Sequence, residues 1–249
     1  MARPDKSCKV VFWDFHGTLA HAPQEWGAAM LELLDETVPG HGIDRETMFG
    51  FIQEGFPWHT PKRPHPELGA ADEWWEYVAG AIARGYRRAG VDGSLARVLA
   101  GRVRGQFLKP HRYRVDPAAR AALETVAVAD WTNMVLSNHV PELERILTDV
   151  GLRDLVDRVF TSAQTGYEKP HRQAFEVPLR EAGKPERVWM VGDNPIADVR
   201  GAEAAGIPAI LVGRAAGDAA RRVADLPAAA ALIVASERDG GVAGAEILQ

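Results

Sequence analysis

From residue 117 to residue 212 the chain alternates helical segments with short apolar runs of β type, and this alternation constrains its fold more than any other feature. A helix over 117–127 leads to a strand over 132–136, a helix over 141–150, a strand over 159–161 and a helix over 171–182. A strand over 188–191, a helix over 195–205 and a strand over 209–212 complete the series. Pro141 at the expected start of one helix and Gly151 past its end follow the usual asymmetry of helix termini. Strands separated by helical crossovers pair in parallel with right-handed connections, so the expected class is α/β with a parallel sheet. An earlier run, Lys9–Trp13, is β-branched and aromatic throughout and ends in Asp14 with Gly17 and Thr18 close behind. It reads as one more buried strand feeding a tight turn.

Between that first strand and the alternating half, the period is helical. Trp26, Met30, Leu33 and Leu34 are spaced as one helix face, stopped by Pro39 and Gly40; a second short helix is expected over 45–54. Residues 57–66 contain four prolines and cannot be regular. A helix over 72–88 carries Trp74, Trp75, Val78, Ile82 and Tyr86, and another runs from an N-cap at Ser94 to Phe107. Residues 22–110 are therefore expected to form an all-helical cap inserted into a core made of 1–21 and 111–249. The Gly-rich, charged tail after about residue 236 is expected to fray.

With 249 residues, 46% hydrophobic and 25% charged, the chain has ordinary globular composition. A net charge of −5 supplies no basic stripe for nucleic acid. The longest apolar run, 228–235, is far shorter than the roughly 20 residues that cross a bilayer. One cysteine, Cys8, permits no intrachain disulfide, and the N-terminus has no apolar signal region, so a cytoplasmic protein without nucleic-acid or membrane partners is expected. Its oligomeric state is not written in the sequence.

In a doubly wound sheet, ligands sit beyond the carboxyl ends of the strands. That rule selects Asp14 after the first strand, Ser137 and Asn138 after the second, Lys169 in the loop after the third, and Asp193 after the fourth, with Asp198 one turn into the next helix. Three carboxylates at one edge repel one another unless a cation joins them, and hard oxygen donors favour Mg²⁺. An ammonium, a hydroxyl and helix N-termini beside such an ion suit a transferring phosphoryl group, which needs positioning and charge neutralisation.

The ordered segments Asp14-Phe15-His16-Gly17-Thr18-Leu19, Ser137-Asn138, Gly166-Tyr167-Glu168-Lys169-Pro170 and Gly192-Asp193-Asn194-Pro195-Ile196-Ala197-Asp198 resemble the motifs of the haloacid dehalogenase-like hydrolase superfamily. The resemblance covers nearly the whole chain. It implies a Rossmann-like core with a mobile cap, Asp14 as nucleophile, and Ser137, Asn138 and Thr18 around the phosphoryl oxygens. It also implies that Lys169 screens charge, and that Mg²⁺ is held by Asp14, Asp193 and the main-chain carbonyl of His16, with Asp198 supporting. Family phosphatases place a second aspartate two residues after the nucleophile to protonate the leaving oxygen; this chain has His16 there. Imidazole, with an ordinary pKa of about 6.5, can serve as acid or base near neutrality.

The leading expectation is a Mg²⁺-dependent phosphatase of a small phosphorylated metabolite. Two alternatives are cleavage of a carbon–phosphorus bond or phosphoryl transfer to another acceptor, and a catalytically impaired binding module. Carbon–phosphorus cleavage in this family needs a cap lysine, for which Lys62 and Lys109 are the available residues. The Asp193/Asp198 pair resembles the metal-using branches rather than the dehalogenases. His21, His139 and His171 follow the motifs closely enough to be candidates for the cleft, against a plainer reading as solvated loop histidines. The loop 56–59 is the candidate lid, with Lys62 and Arg63 as cations for an anionic substrate or merely solvated.

Overall fold

In a computed structural model the described residues are 9–22, 24–213 and 219–236; Cys8 and the tail expected to fray lie outside them. The elements, in chain order, are β1 (Lys9–Trp13), β2 (Ala20–His21), α1 (Glu25–Thr37), α2 (Arg45–Gly50), α3 (Ala71–Arg88), α4 (Gly93–Phe107) and β3 (Arg114–Val115). There follow α5 (Ala119–Val128), β4 (Thr132–Ser137), α6 (Leu143–Asp149), β5 (Arg158–Thr161), α7 (Ser162–Thr165), α8 (Gln173–Glu181) and β6 (Arg187–Gly192). The chain continues through α9 (Gly201–Ala204), β7 (Ala209–Val212), β8 (Arg222–Val223) and α10 (Leu226–Ala235).

Six strands form one sheet in the order β5-β4-β1-β6-β7-β8, and every pairing is parallel. Because parallel strands bury both faces, β1 has no polar alternation. Val11 and Trp13 belong to the core on one face, which includes Leu123 of α5 and Ile233 of α10. Val10 and Phe12 belong to the core on the other, with Phe175 of α8 and Ala202 of α9. The indole of Trp13 donates to Asn133 Oδ1 at 2.8 Å, and Asn133 Nδ2 donates to the Leu123 carbonyl at 2.9 Å, so these buried polar groups satisfy one another.

The chain steps from β1 outward to β4 and β5, then returns to build β6, β7 and β8 on the opposite side of β1. The carboxyl end of β1 is therefore the point where strand order reverses, and a crevice opens there. Asp14 is the next residue.

The helical segment leaves and re-enters the sheet through a short antiparallel pair, β2 with β3. Its helices α1 to α4 pack on one another around Trp26, whose ring centroid lies 4.2 Å from Phe107 and 4.8 Å from Phe56. The buried Tyr86 hydroxyl donates to the Met30 carbonyl at 2.8 Å and ties α3 to α1. Among the described residues, no helix is long and apolar enough to cross a membrane.

Three local expectations shift. The N-cap of α4 is Asp92, not Ser94: its carboxylate accepts from the Ser94 amide at 2.8 Å, a stronger acceptor one turn-position earlier. Helix α6 starts at Leu143, two residues beyond Pro141. The helix expected from Pro195 opens as a π-helical turn, Pro195–Arg200, in which the Val199 amide donates to the Asn194 carbonyl five residues back at 3.3 Å; Asn194 Oδ1 caps it by accepting from the Ile196 and Ala197 amides at 2.9 Å.

Candidate active site

The strand ends bring the sequence-selected groups together. Asp14 is buried, and its amide donates to the Val191 carbonyl at 2.8 Å, which continues the β1–β6 ladder by one residue and fixes where the carboxylate emerges. Lys169 reaches in from the loop after α7. Its ammonium donates to Asp14 Oδ1 at 2.9 Å, to Asp198 Oδ1 at 2.6 Å and to the Leu136 carbonyl at 2.8 Å, using all three protons. The backbone of Lys169 is pinned in turn by Asn138, which accepts from the Lys169 amide at 2.7 Å and donates to its carbonyl at 2.9 Å. Asp198 is buried on the π-helical turn, and its second oxygen accepts from the Asn194 amide at 3.0 Å.

Two glycines are dictated by these carboxylates. A Cβ on Gly17, where φ is +92°, would stand 2.4 Å from Asp193 Oδ2; one on Gly192 would stand 2.1 Å from Asp198 Oδ2. Nothing larger than hydrogen fits at either place.

One oxygen from each of Asp14, Asp193 and Asp198 can be chosen so that all lie within 4.8 Å of one another. Burial opposes the charge of Lys169, but Asp14 and Asp198 outweigh it and hold the ammonium above its ordinary pKa. Burial also raises Asp193, with Asp14 adding to the rise, and pushes Asp198 up to about 7 against the pull of Lys169. Burial does most of the lifting of Asp193 and Asp198, and the neighbouring charge of Asp14 adds to it, so one ammonium does not neutralise the cluster. A divalent cation with hard oxygen ligands fits that surplus. Thr18 is buried, its hydroxyl 3.4 Å from Asp193 Oδ1. The Ser137 hydroxyl is buried beside the cluster with no hydrogen-bond partner.

His16 is half-buried, with Nδ1 3.6 Å from Glu25 Oε1 at the start of α1. Burial raises the Glu25 pKa, partly offset by His16. His139 is buried and lines the same cleft, its ring 5.5 Å from Phe15 and 6.0 Å from Phe107, with no partner for either nitrogen; burial drives its pKa down to about 3, so it is neutral. His21 instead sits 3.6 Å from Asp116 on the β2–β3 connection, and His171 Nδ1 accepts from the Gln173 amide at 3.1 Å; neither enters the cleft.

These groups form one wall of a cavity of about 400 Å³. The facing wall comes from the helical segment: Trp26, Phe49, Trp58 and Phe107, with Gln24 and Glu25 at its edge. Trp58 stands where the lid loop was expected. Phe49 and Phe107 carry no sequence signal that separates a cavity wall from ordinary core. Lys62, Arg63 and Lys109 do not line the cavity; Lys62 and Arg63 are exposed, and Lys109 is 3.9 Å from Glu32. A larger open groove runs beside β5 and α8, lined by Arg153, Arg158 and Arg180 among others, but it contains none of the strand-end carboxylates and no nucleophile beside a base.

Direct comparison agrees with the fold and with the family that the motifs resemble. The family model for haloacid dehalogenase-like hydrolases matches residues 8–206, and the chain belongs to that family. The ribulose-1,5-bisphosphate 5-phosphatase of Halopiger xanaduensis is 32% identical over 213 residues, covering 81% of this chain and 83% of that protein. The phosphoserine phosphatase of Thermus thermophilus is 38% identical over 110 residues, or 43% of this chain and 44% of its own length. The HAD-hydrolase YfnB of Bacillus subtilis, solved bound to magnesium, superposes with a TM-score of 0.70 at 18% identity over 92% of this chain and 99% of that one, a likeness of fold. The protein is thus a hydrolase whose relatives include phosphatases of small phosphorylated metabolites.

Proposed function

We propose that this hydrolase is a Mg²⁺-dependent phosphomonoesterase working through a phosphorylated Asp14. The observation that carries the reading is the bridge from Lys169 Nζ to Asp14 and Asp198, with Asp193 drawn into the same few ångströms at the point where strand order reverses. A carboxylate oxygen of Asp14 attacks phosphorus in line while the leaving alcohol departs on the opposite side. Lys169 neutralises charge on the phosphoryl oxygens and holds Asp14 in its attacking rotamer. The Ser137 hydroxyl, without a protein partner, donates to a phosphoryl oxygen. Asp14 and Asp193, with the His16 main chain, would hold Mg²⁺, which supplies further neutralisation; Asp198 acts through Lys169 and the Asn194 loop.

His16 occupies the position of the proton-transfer group. Its imidazole, with Nδ1 3.6 Å from Glu25, is the group that protonates the leaving oxygen, and the neutral ring left behind then accepts a proton from the attacking water. The helical segment 22–110 serves as the cap, closing the cavity against bulk water. Carbon–phosphorus cleavage is the weaker alternative, since neither Lys62 nor Lys109 reaches the cavity. Phosphate release from an aryl phosphate should require Mg²⁺, and Asp14→Asn should abolish it while the variant stays folded. Undiminished release in Asp14→Asn would reject the mechanism.

A further inference from the structure

Resting on the phosphatase reading, we infer that the substrate is a phosphate monoester whose leaving group is uncharged and carries a flat or apolar body, seated against Trp58 and Phe49, and that esters bearing a second anion are selected against. The cavity walls differ in charge. Among the described residues lining it, Lys169 is the one permanent cation, and all three of its protons are committed to Asp14, Asp198 and the Leu136 carbonyl. Glu25, a carboxylate 3.6 Å from His16 Nδ1, stands at the edge of the same cavity.

Two arginines, Arg104 in the helical segment and Arg112 just after it, are already paired with carboxylates. Arg112 pairs with Glu32 at 2.6 Å, and Arg104 pairs with Asp72 and Glu142, each at 2.6 Å. A second phosphate or a carboxylate on the leaving group would be stripped of water beside Glu25 with nothing to pair it, a penalty that excludes buried unpaired charge. The same wall is rich in rings. Trp58 is half-buried and stacks on Phe56 at 4.6 Å with planes 22° apart; Trp26 stands 5.6 Å behind it. Phe49, also half-buried, completes the exposed apolar surface. A volume of about 400 Å³ admits a phosphoryl group with a nucleoside-sized or aryl body and no polymer.

Glycerate and sugar bisphosphates would meet the wrong wall, whereas a nucleoside or aryl monophosphate would stack on it. Stacking of one ring on an aromatic side chain is strong enough to give a preference of about tenfold.

The test is calorimetric binding to the full-length Asp14→Asn protein with Mg²⁺, which needs no turnover. Phenyl phosphate and uridine 5′-monophosphate are compared with 3-phosphoglycerate and ribulose 1,5-bisphosphate. The two neutral-bodied esters should bind at least about tenfold more tightly, Trp58→Ala should erase most of that margin, and Phe49→Arg, at a half-exposed position, should shift preference toward the bisphosphate. Equal or tighter binding of the doubly anionic esters, indifference to both substitutions, or binding of none of the four would overturn the inference. Wild-type turnover of phenyl phosphate, measured in parallel, judges the phosphatase reading separately: turnover with the opposite binding order sinks only the specificity.

Discussion

Across one cavity, two walls are held in place by different physics. On the sheet side Lys169 bonds Asp14 at 2.9 Å and Asp198 at 2.6 Å, and Asn138 fixes the backbone that carries the lysine. On the helical side Trp26 meets Phe107 at 4.2 Å and Trp58 at 5.6 Å through ring contacts, and Phe49 lines the same wall. Buried charges must be satisfied in full, so moving one member strands the rest, whereas rings can be exchanged for rings of similar volume at modest cost. A family can therefore hold its chemistry constant at the strand ends while its substrate range drifts in the inserted segment.

The comparison breaks most visibly at Lys169. Lys169→Met keeps the volume and leaves Asp14 and Asp198 buried without their ammonium, so about 3–5 kcal/mol of stability should go, by denaturant unfolding, together with nearly all phosphate release. Adding Asp198→Asn should return part of the stability and none of the activity. A loss under 1 kcal/mol would mean that the rim is far wetter than its burial implies.

A Phe107→Ala change probes the other wall. It removes a fully buried ring from the centre of the aromatic cluster and should cost about 3 kcal/mol in the same unfolding assay. Turnover at saturating substrate should nevertheless stay within about tenfold, because no group that handles phosphorus is moved. A collapse of turnover in a folded Phe107→Ala protein would show that the two walls are not separable.

The smallest effect concerns acid. His139 has a folded-state pKa of about 3 because burial excludes the charged ring. The unfolded chain takes up that proton near its ordinary value of about 6.5, so the neutral ring's contribution is intact above that pH and drains away as pH falls toward 3. The slope is at most about 1.4 kcal/mol per pH unit. Against wild type, His139→Phe should lose stability less steeply between about pH 6 and pH 4 in thermal melts. Parallel curves would place the imidazole in contact with solvent. Asp193 and Asp198, whose pKa values are raised, act in the opposite sense in both proteins and cancel from the difference.

How much of this was legible in the sequence follows the same division. The rim was readable because Asp14 and Asp193 directly follow strand runs and Lys169 and Asp198 lie in the segments that leave such runs, while parallel topology fixes which ends share an edge, where all four meet. The bonding inside that edge was not readable. No spacing rule says that Asn138 would brace the backbone of Lys169 or that Asp198 would take both the lysine and the Asn194 amide. On the helical side, periodicity identified the inward stripes of α1 and α3 but could not divide core from cavity wall. Phe107 is fully buried and Phe49 half-exposed, yet both line the cleft. The short strands β2, β3 and β8 are two residues each, below any pattern's reach, and are made by tertiary pairing alone.

The central claim, that a carboxylate oxygen of Asp14 takes the phosphoryl group, can be tested by acid-quenching the enzyme during turnover of phenyl phosphate with Mg²⁺ and mapping protein-bound phosphate by mass spectrometry. Phosphate should appear on the peptide carrying Asp14, be missing from Asp14→Asn, and accumulate in His16→Ala, where water attack is slowed. Rapid release of phosphate with none on the protein, or its persistence on Asp14→Asn, would contradict the account.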